Sequence, residues 1–263
     1  MELWKGQALA VAQGKRTPIE CLLPVEVPVS VYLNGQHLST LMALPGQERE
    51  LAIGFCLGTG VVGSFHDIYL VQYCREESAT DAGTVVRVEA RGEAVRPKAR
   101  GASLVLPGCG GMEIGSFEAA LPRLEVPRAP LVEASRLQEM ALRLRRESSL
   151  YRKAGAVHVA ALFGKDGSLR GWAEDIGRHN AADKAIGSAL LRGYGLDDAI
   201  LMTTGRASHE FVVKARYLGI PLVAVLSAPT SLAIELAADG RCTLAGRFRS
   251  DSFIVYTWDE RIG

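Results

Sequence analysis

The sequence predicts an α/β protein in two parts: a layered C-terminal α/β domain over residues 116–263 and a smaller N-terminal α+β domain over residues 1–115. From residue 156 onward, short apolar strands alternate with amphipathic helices, which is typical of right-handed crossovers on a layered sheet. Before that point, Asn34-Gly35 lies between two alternating segments and indicates an antiparallel hairpin. A chain of 263 residues is long enough to bury a sizeable core.

Composition excludes several classes of protein. With 48% hydrophobic and 22% charged residues, the chain is not intrinsically disordered. Its 30 Lys and Arg balance 29 Asp and Glu, so nothing attracts nucleic acid or an acidic membrane globally, and any anion recognition must be local. There is no apolar run long enough to span a membrane and no signal-peptide pattern at the start, so we expect a cytoplasmic protein.

Five cysteines, an odd number without a CxxC pair, argue against a tetracysteine zinc site and against a disulfide framework. Glycines flank Cys109 and Pro107 precedes it, so we expect an exposed loop tip that presents its thiol. Cys56, Cys74 and Cys242 lie in apolar patterns and are expected to be buried and inert.

The N-terminal elements follow from periodicity and turn signals. They are strands over 25–33 and 37–43, a helix over 47–58, and strands over 68–74 and 84–90. Leu51, Phe55 and Leu57 are the expected packing side chains of the helix. The basic segment 91–100 predicts a solvated loop, and the glycine-rich segment 101–116 predicts an exposed, mobile loop.

A helix is predicted to begin at Ser135, which has capping-box spacing to Gln138. One face of this helix is apolar, and the other carries arginines that favour a solvated surface, with a partner contact as the alternative. Downstream, strands are predicted over 156–163, 168–173, 198–204, 220–227, 241–247 and 253–258, with helices over 181–192, 208–218 and 230–238.

Polar segments stand at three junctions where a strand leads into a helix, the usual place for ligands on such sheets. In the first junction, Asn180 is the expected N-cap, and the charged or ring side chains crowding the helix start are Arg178, His179, Asp183 and Lys184. This arrangement suits a phosphate at a helix N-terminus, but a capped helix with a local Asp–Arg network explains it equally well.

In the second junction, Gly205 lets a ligand approach the backbone, Arg206 can grip a phosphate through two bonds, and Ser208 precedes the helix. In the third, Ser227 and Thr230 are candidates, although helix capping by Thr230 or Ser231 explains that segment by itself. Neither a Walker loop nor a GxGxxG motif occurs. Side by side, the junctions predict an anion-binding rim along one sheet edge.

Five segments together resemble the FdhD/NarQ family of formate dehydrogenase accessory sulfurtransferases. They are Pro45–Phe55, Val157–Phe163, Glu174–Lys184, Gly205–Ser208 and Ser227–Leu232. The resemblance runs through most of the chain and implies a core similar to the cytidine-deaminase fold. It also implies a homodimer that takes sulfur from a cysteine desulfurase. The sulfur would pass to the bis-molybdopterin guanine dinucleotide form of the molybdenum cofactor, before that cofactor enters the formate dehydrogenase apoenzyme.

The resemblance also assigns residues. Cys109 matches the first cysteine of the family's CGxCG persulfide loop, but the second cysteine position holds Met112. A thioether neither carries nor resolves a persulfide. The family's cofactor-binding stretch matches Arg247, Phe248, Arg249, Ser250, Asp251 and Ser252, with Arg247 where an aromatic or apolar residue is usual.

Two hypotheses about the function stay open at this point, and a third is rejected. In the favoured hypothesis, Cys109 suffices for sulfur transfer. In the alternative, the protein only binds and delivers the cofactor. A zinc-dependent base hydrolase is rejected, because it needs H-x-E and P-C-x-x-C. His158-Val-Ala160 lacks the glutamate and Pro107–Met112 lacks the paired cysteines, so no zinc is expected.

Overall fold

A computed structural model describes residues 3–75, 84–92, 124 and 131–263. The predicted persulfide loop around Cys109 and Met112 lies outside these residues, as do residues 93–100 of the predicted basic loop. In the described part of the chain, no helix has the length and apolar character needed to cross a membrane.

The chain begins with an antiparallel hairpin of β1 (Leu3–Ala12) and β2 (Lys15–Pro24), to which the sequence pattern assigns no element. A four-stranded sheet follows, with β3 (Val27–Leu33), β4 (Gln36–Ala43), β5 (Ile68–Arg75) and β6 (Thr84–Ala90) in the order β4-β3-β6-β5. Asn34 and Gly35 both have positive φ, 48° and 76°, and β3 pairs antiparallel with β4, which confirms the predicted hairpin.

The second sheet has six strands: β7 (His158–Gly164), β8 (Leu169–Asp175), β9 (Ala199–Thr203), β10 (Leu222–Val225), β11 (Thr243–Gly246) and β12 (Ile254–Thr257). Their order is β12-β11-β10-β9-β7-β8. β9, β10 and β11 are parallel, and β7 is antiparallel to both β8 and β9. The carboxyl ends of β8 to β11 therefore lie along one edge, which we call the C-terminal edge.

Helices cover both faces of this sheet. The α-helices of the described residues are α1 (Glu48–Gly58), α2 (Ala134–Glu147), α3 (Ser149–Ala154), α4 (Arg178–Leu191), α5 (His209–Tyr217) and α6 (Ser231–Asp239). The apolar face of α2 packs on one side, and α4, α5 and α6 pack on the other. The α/β class is confirmed, whereas the resemblance to the cytidine-deaminase fold stays a prediction.

The predicted division into two domains also stays a prediction, but one hydrophobic core joins α1 and the four-stranded sheet to α4, α5 and α6. Two glycines allow α1 and α4 to approach closely. A Cβ added at Gly54 would lie 2.1 Å from the carbonyl oxygen of Asp183, and one added at Gly187 would lie 2.1 Å from that of Glu50. No larger side chain fits either position without moving a helix backbone.

The capping box predicted for α2 is wrong. The helix begins at Ala134 after an N-cap at Glu133, so Ser135 already lies inside the first turn. Gln138 does not reach back to the helix start, because its side-chain amide donates to the carbonyl oxygen of Arg249. A contact distant in sequence has displaced the local one.

Candidate anion-binding site

The first junction of the C-terminal edge is built on a buried carboxylate at the end of β8. Both oxygens of Asp175 are occupied: Oδ2 lies 2.7 Å from Lys184 Nζ and accepts from the Leu44 amide, and Oδ1 accepts from the Gly177 amide and from Asn180 Nδ2. Lys184 Nζ also donates to the Leu44 carbonyl oxygen at 2.6 Å. This network holds the residue after β4 against the start of α4.

The prediction that Asn180 is an N-cap is therefore wrong. Helix α4 begins at Arg178 with Gly177 as its N-cap, and the Asn180 amide donates to Asp175 and to the Met42 carbonyl oxygen at 2.8 Å. Its side chain joins α4 to β4 instead of capping the helix.

A second ion pair involves the residue of α4 that directly precedes Lys184. Asp183 pairs with Lys214 of α5, and both side chains are almost fully buried. Burial raises the pKa of Asp183, while the ammonium of Lys214 opposes that rise. Burial, followed by the nearby Asp183 carboxyl, raises the pKa of the Cys56 thiol to about 12.

The first and second junctions are in direct contact. The side chain of Arg178 lies across Gly205, where an added Cβ would stand 2.9 Å from Cβ of Arg178. Gly205 is held by its own amide, which donates to Thr203 Oγ1 at 3.1 Å. Arg206, the next residue, is exposed at the rim. The structure thus brings together two arginines that are 28 residues apart in sequence.

Backbone hydrogen bonds join the remaining junctions. The Thr230 amide donates to the Ala207 carbonyl oxygen at 3.0 Å, and the Arg247 amide donates to the Ser227 carbonyl oxygen at 2.6 Å. Thr230 caps α6 by accepting from the Ala233 amide, which confirms its predicted capping role. The segments after β8, β9, β10 and β11 therefore form one continuous rim.

The C-terminal stretch extends this rim. Phe248 is fully buried and stacks on Phe253 at 4.7 Å, while its exposed neighbours are Arg247, Arg249, Ser250, Asp251 and Ser252. Helix α2 contacts the same stretch, because Arg145 donates to the Phe248 carbonyl oxygen at 2.6 Å. Part of the basic face of α2 thus has an intramolecular role.

The surroundings of two histidines at this edge disfavour the charged form of the ring. Burial, and then the charges of Lys214 and Arg178, lower the pKa of His179 to about 3. Its Nε2 lies 3.6 Å from Glu210 Oε2, but a neutral ring at that distance makes no ion pair. Burial, followed by the charges of Arg178 and Arg206, also lowers the pKa of His158. A neutral imidazole beside two arginines leaves the local charge positive.

Four buried polar atoms of the edge find no hydrogen-bond partner within the described part of the chain. They are His158 Nδ1, Arg178 Nε, His179 Nε2 and Ser208 Oγ. Ser208 is the N-cap of α5, yet its side chain makes no capping bond. Buried polar groups are almost always paired in native proteins, so such a group of atoms indicates a site that a ligand completes.

His158 is the site residue that the sequence reasoning missed. Its only sequence signal is a polar residue at the start of an apolar strand. The antiparallel direction of β7 places that start at the C-terminal edge, where His158 pairs in register with Asp175.

The cysteine predictions have a mixed outcome. Cys56 and Cys242 are buried as expected, but Cys74 is exposed on β5, so the expectation that it is buried is wrong. Burial raises the pKa of Cys242 to about 12. No cluster of three or more His, Cys, Asp or Glu side chains occurs among residues 3–75, 84–92, 124 and 131–263.

Fold and site together define an α/β protein with a basic, histidine-containing rim at the C-terminal edge of a mixed sheet. The chain belongs to the FdhD/NarQ family, whose model matches residues 24–263. It is 38% identical over 251 residues to the sulfur carrier protein FdhD of Mycobacterium tuberculosis, with 91% of each chain covered. It is 34% identical over 256 residues to that of Anaeromyxobacter sp. (strain K), covering 91% of this chain and 88% of the relative.

The same fold occurs in a crystal structure of a formate dehydrogenase accessory protein from Desulfotalea psychrophila. The two chains superpose with a TM-score of 0.79 and full coverage of both, at 24% identity. At that identity the likeness shows the shared fold.

Proposed function

We propose that this protein is a cytoplasmic sulfur carrier required for formate dehydrogenase maturation. Its relatives are named sulfur carrier proteins, and the observation that carries the proposal is the continuous basic rim at the C-terminal edge. In the proposal, Cys109 receives sulfur from a cysteine desulfurase, and the rim binds the guanosine diphosphate arms of bis-molybdopterin guanine dinucleotide. The loaded cofactor then passes to the formate dehydrogenase apoenzyme.

The first chemical step needs no outside oxidant. The Cys109 thiolate attacks the terminal sulfur of the desulfurase persulfide, so the new S–S bond forms as the old one breaks and the desulfurase thiolate leaves. Release of that sulfur to molybdenum as sulfide consumes two electrons, which the metal centre or an added thiol supplies. The protein itself needs no resident metal in this scheme.

The residues of the rim divide into two proposed roles. Arg178 and Arg206 bind phosphate, since guanidinium groups are the usual side-chain partners of phosphate oxygens, and Gly205 lets the ligand approach the backbone between them. Polar groups of the rim that complete the nucleotide site are His179, Ser208, Ser227, Thr230, Arg247, Arg249, Ser250, Asp251 and Ser252. Buried Phe248 anchors the C-terminal stretch that carries the last five of them.

Asn180, Asp183 and Lys184 have the second role. Their polar atoms are occupied by Asp175, Lys214 and the residues after β4. We therefore assign them to positioning α4 within the core rather than to direct contact with the cofactor. The protein acts as a homodimer in this proposal.

A second candidate function is cofactor binding and delivery without sulfur transfer. The observation that favours it is Met112 at the position of the second loop cysteine. The rim serves this function equally well, so the two candidates differ only in the chemistry of Cys109.

Sulfur loading separates the two candidates. The protein is incubated with a cysteine desulfurase and cysteine, and intact-mass spectrometry then counts added sulfur atoms. We expect one on the wild type and none on Cys109→Ala. Cys74→Ala is the matched control, because Cys74 is an exposed thiol of the described chain and its removal should change nothing. A wild type that gains no sulfur contradicts the carrier function and supports delivery alone.

Met112→Cys tests whether the second cysteine matters. If Cys109 suffices, this variant matures formate dehydrogenase about as well as the wild type. A large gain in maturation would show that the natural chain is impaired in sulfur transfer.

Nucleotide binding tests the rim. We expect Arg206→Ala to weaken binding of guanosine diphosphate about tenfold or more, because a charge-assisted hydrogen bond contributes on the order of 1.5–3 kcal/mol. The matched control is Arg49→Ala, which removes an exposed arginine of α1. Equal affinities of the two variants would remove Arg206 from the site.

A further inference from the structure

His158 occupies the centre of the first two junctions. Its register partner on β8 is Asp175, where the first junction begins. On the other side, the adjacent residue Val159 exchanges hydrogen bonds with Thr204: the Thr204 amide donates to the Val159 carbonyl oxygen, and Thr204 Oγ1 accepts from the Val159 amide, both at 3.0 Å. Pairing with β8 and the hydrogen bonds to Thr204 therefore fix the backbone around His158 next to both junctions.

The charged groups around His158 come from every element packed on it. Helix α4 supplies Arg178 and the neutral His179, and the loop after β9 supplies Arg206. The carboxylate of Asp175 in β8 is already neutralised by Lys184. From α5, Glu210 lies next to His179 and His209. A positive charge on His158 is thus opposed by two arginines, and the Asp175 carboxylate beside it is already paired with Lys184.

An anion in the rim reverses this balance. A phosphate between Arg178 and Arg206 neutralises the two charges that, after burial, lower the pKa of His158. It also brings acceptor oxygens to a site whose ring atom Nδ1 finds no acceptor or donor within the described part of the chain. Both changes favour the imidazolium over the neutral ring.

We propose that His158 is a proton-linked anion-binding residue: it is neutral in the empty rim and takes up one proton from solvent when a phosphate group binds beside Arg178 and Arg206. This inference rests on the proposed function, whose phosphate site it deepens. The two binding equilibria are linked. Protonation of His158 therefore raises the affinity for the anion by the same factor by which the bound anion raises the affinity of His158 for the proton. Affinity for phosphate groups therefore rises as pH falls, and the site releases its ligand more readily at higher pH.

Guanosine diphosphate is the first probe, titrated by calorimetry at pH 6, 7 and 8 in non-phosphate buffers. The terminal phosphate of the nucleotide titrates near pH 6 and loses charge as pH falls, which acts against the proposed effect. The quantity to compare is therefore the ratio of wild-type affinity to His158→Gln affinity at each pH, in which the titration of the ligand cancels. We expect this ratio to rise about threefold or more from pH 8 to pH 6.

His37→Gln is the matched control, because His37 is an exposed histidine of β4 whose ring contacts Thr40 rather than the rim. The ratio of wild-type affinity to His37→Gln affinity for guanosine diphosphate should not change with pH. A His158→Gln ratio that is also constant overturns the proton linkage and leaves the nucleotide site standing. No binding of guanosine diphosphate by the wild type at any pH overturns both this inference and the proposed function.

Sulfate is the second probe and needs no variant. Sulfate does not titrate between pH 5 and pH 8, so NMR titration of the His158 ring in the wild type reads the linkage directly. We expect sulfate to raise the pKa of His158 relative to chloride at equal ionic strength, with His37 unchanged. Equal His158 titration curves in the two salts would contradict the inference even if His158→Gln failed to fold.

Discussion

Replacing Lys184 by methionine tests the buried network that sets the first junction. Methionine keeps most of the side-chain volume but leaves Asp175, which is fully buried, without its cation. Breaking a buried pair by removing one partner costs about 3–5 kcal/mol, because the other charge stays buried and uncompensated. The Leu44 carbonyl oxygen also loses its donor.

For a chain of this size, each kcal/mol shifts Tm by about 2–4 °C, so we expect Lys184→Met to unfold about 6–20 °C below the wild type. Differential scanning calorimetry measures this directly. The matched control is Lys153→Met, an exposed lysine of α3, which should change stability by about 0.5 kcal/mol or less. The reasoning is refuted if the two variants melt at the same temperature.

The same variant separates positioning from ligand binding. Lys184 Nζ is engaged by Asp175 and by the Leu44 carbonyl oxygen, so the folded variant should bind guanosine diphosphate nearly as well as the wild type. A large loss of affinity in protein that is still fully folded would show that Lys184 contacts the nucleotide.

Three further predictions concern packing, pH and thiol reactivity. Gly54→Ala places a methyl group 2.1 Å from the Asp183 carbonyl oxygen and should destabilise the chain by about 1–3 kcal/mol in urea unfolding, while Gly92→Ala, which meets nothing within 4 Å, should not. His179 has a folded-state pKa of about 3 against 6.5 ordinarily, so the unfolded state binds more protons between these values and stability should fall as pH drops from 6.5 toward 3; His179→Gln should flatten that slope, and an unchanged slope would exclude the ring as its cause. Iodoacetamide at pH 8 should label Cys74 in the folded protein but label the two buried cysteines only after denaturation, as peptide mapping would show.

Local signals predicted much of the fold. The strand over residues 84–90 matches β6 residue for residue, and the Asn34-Gly35 turn has the conformation that its sequence requires. The Thr230 cap is also as predicted, because Oγ1 and the Ala233 amide lie within one helical turn. These features depend on backbone preferences and periodicity over a few residues, which the sequence displays directly.

Features that depend on distant contacts were predicted poorly. Asn180 has the character of a cap, but Asp175 and the Met42 carbonyl oxygen take its amide. Cys74 lies in an apolar run, but which face of β5 meets the core depends on the sheet rather than on the run. Residues 3–24 form a hairpin whose large apolar side chains are exposed, so their pattern lacks the alternation of a half-buried strand.

The sequence by itself determined the α/β class, the family resemblance and the junctions that contain Arg178, Arg206 and Arg247. These features depend only on the order of strands and helices and on short motifs, which residues close together in the sequence specify. Only the tertiary structure decided which of these residues meet. Gly205 against Arg178 joins two junctions, and the antiparallel direction of β7 brings His158 to them. The physical reason is that strand direction and helix approach are set by the packing of the whole core, which no single segment of the chain contains.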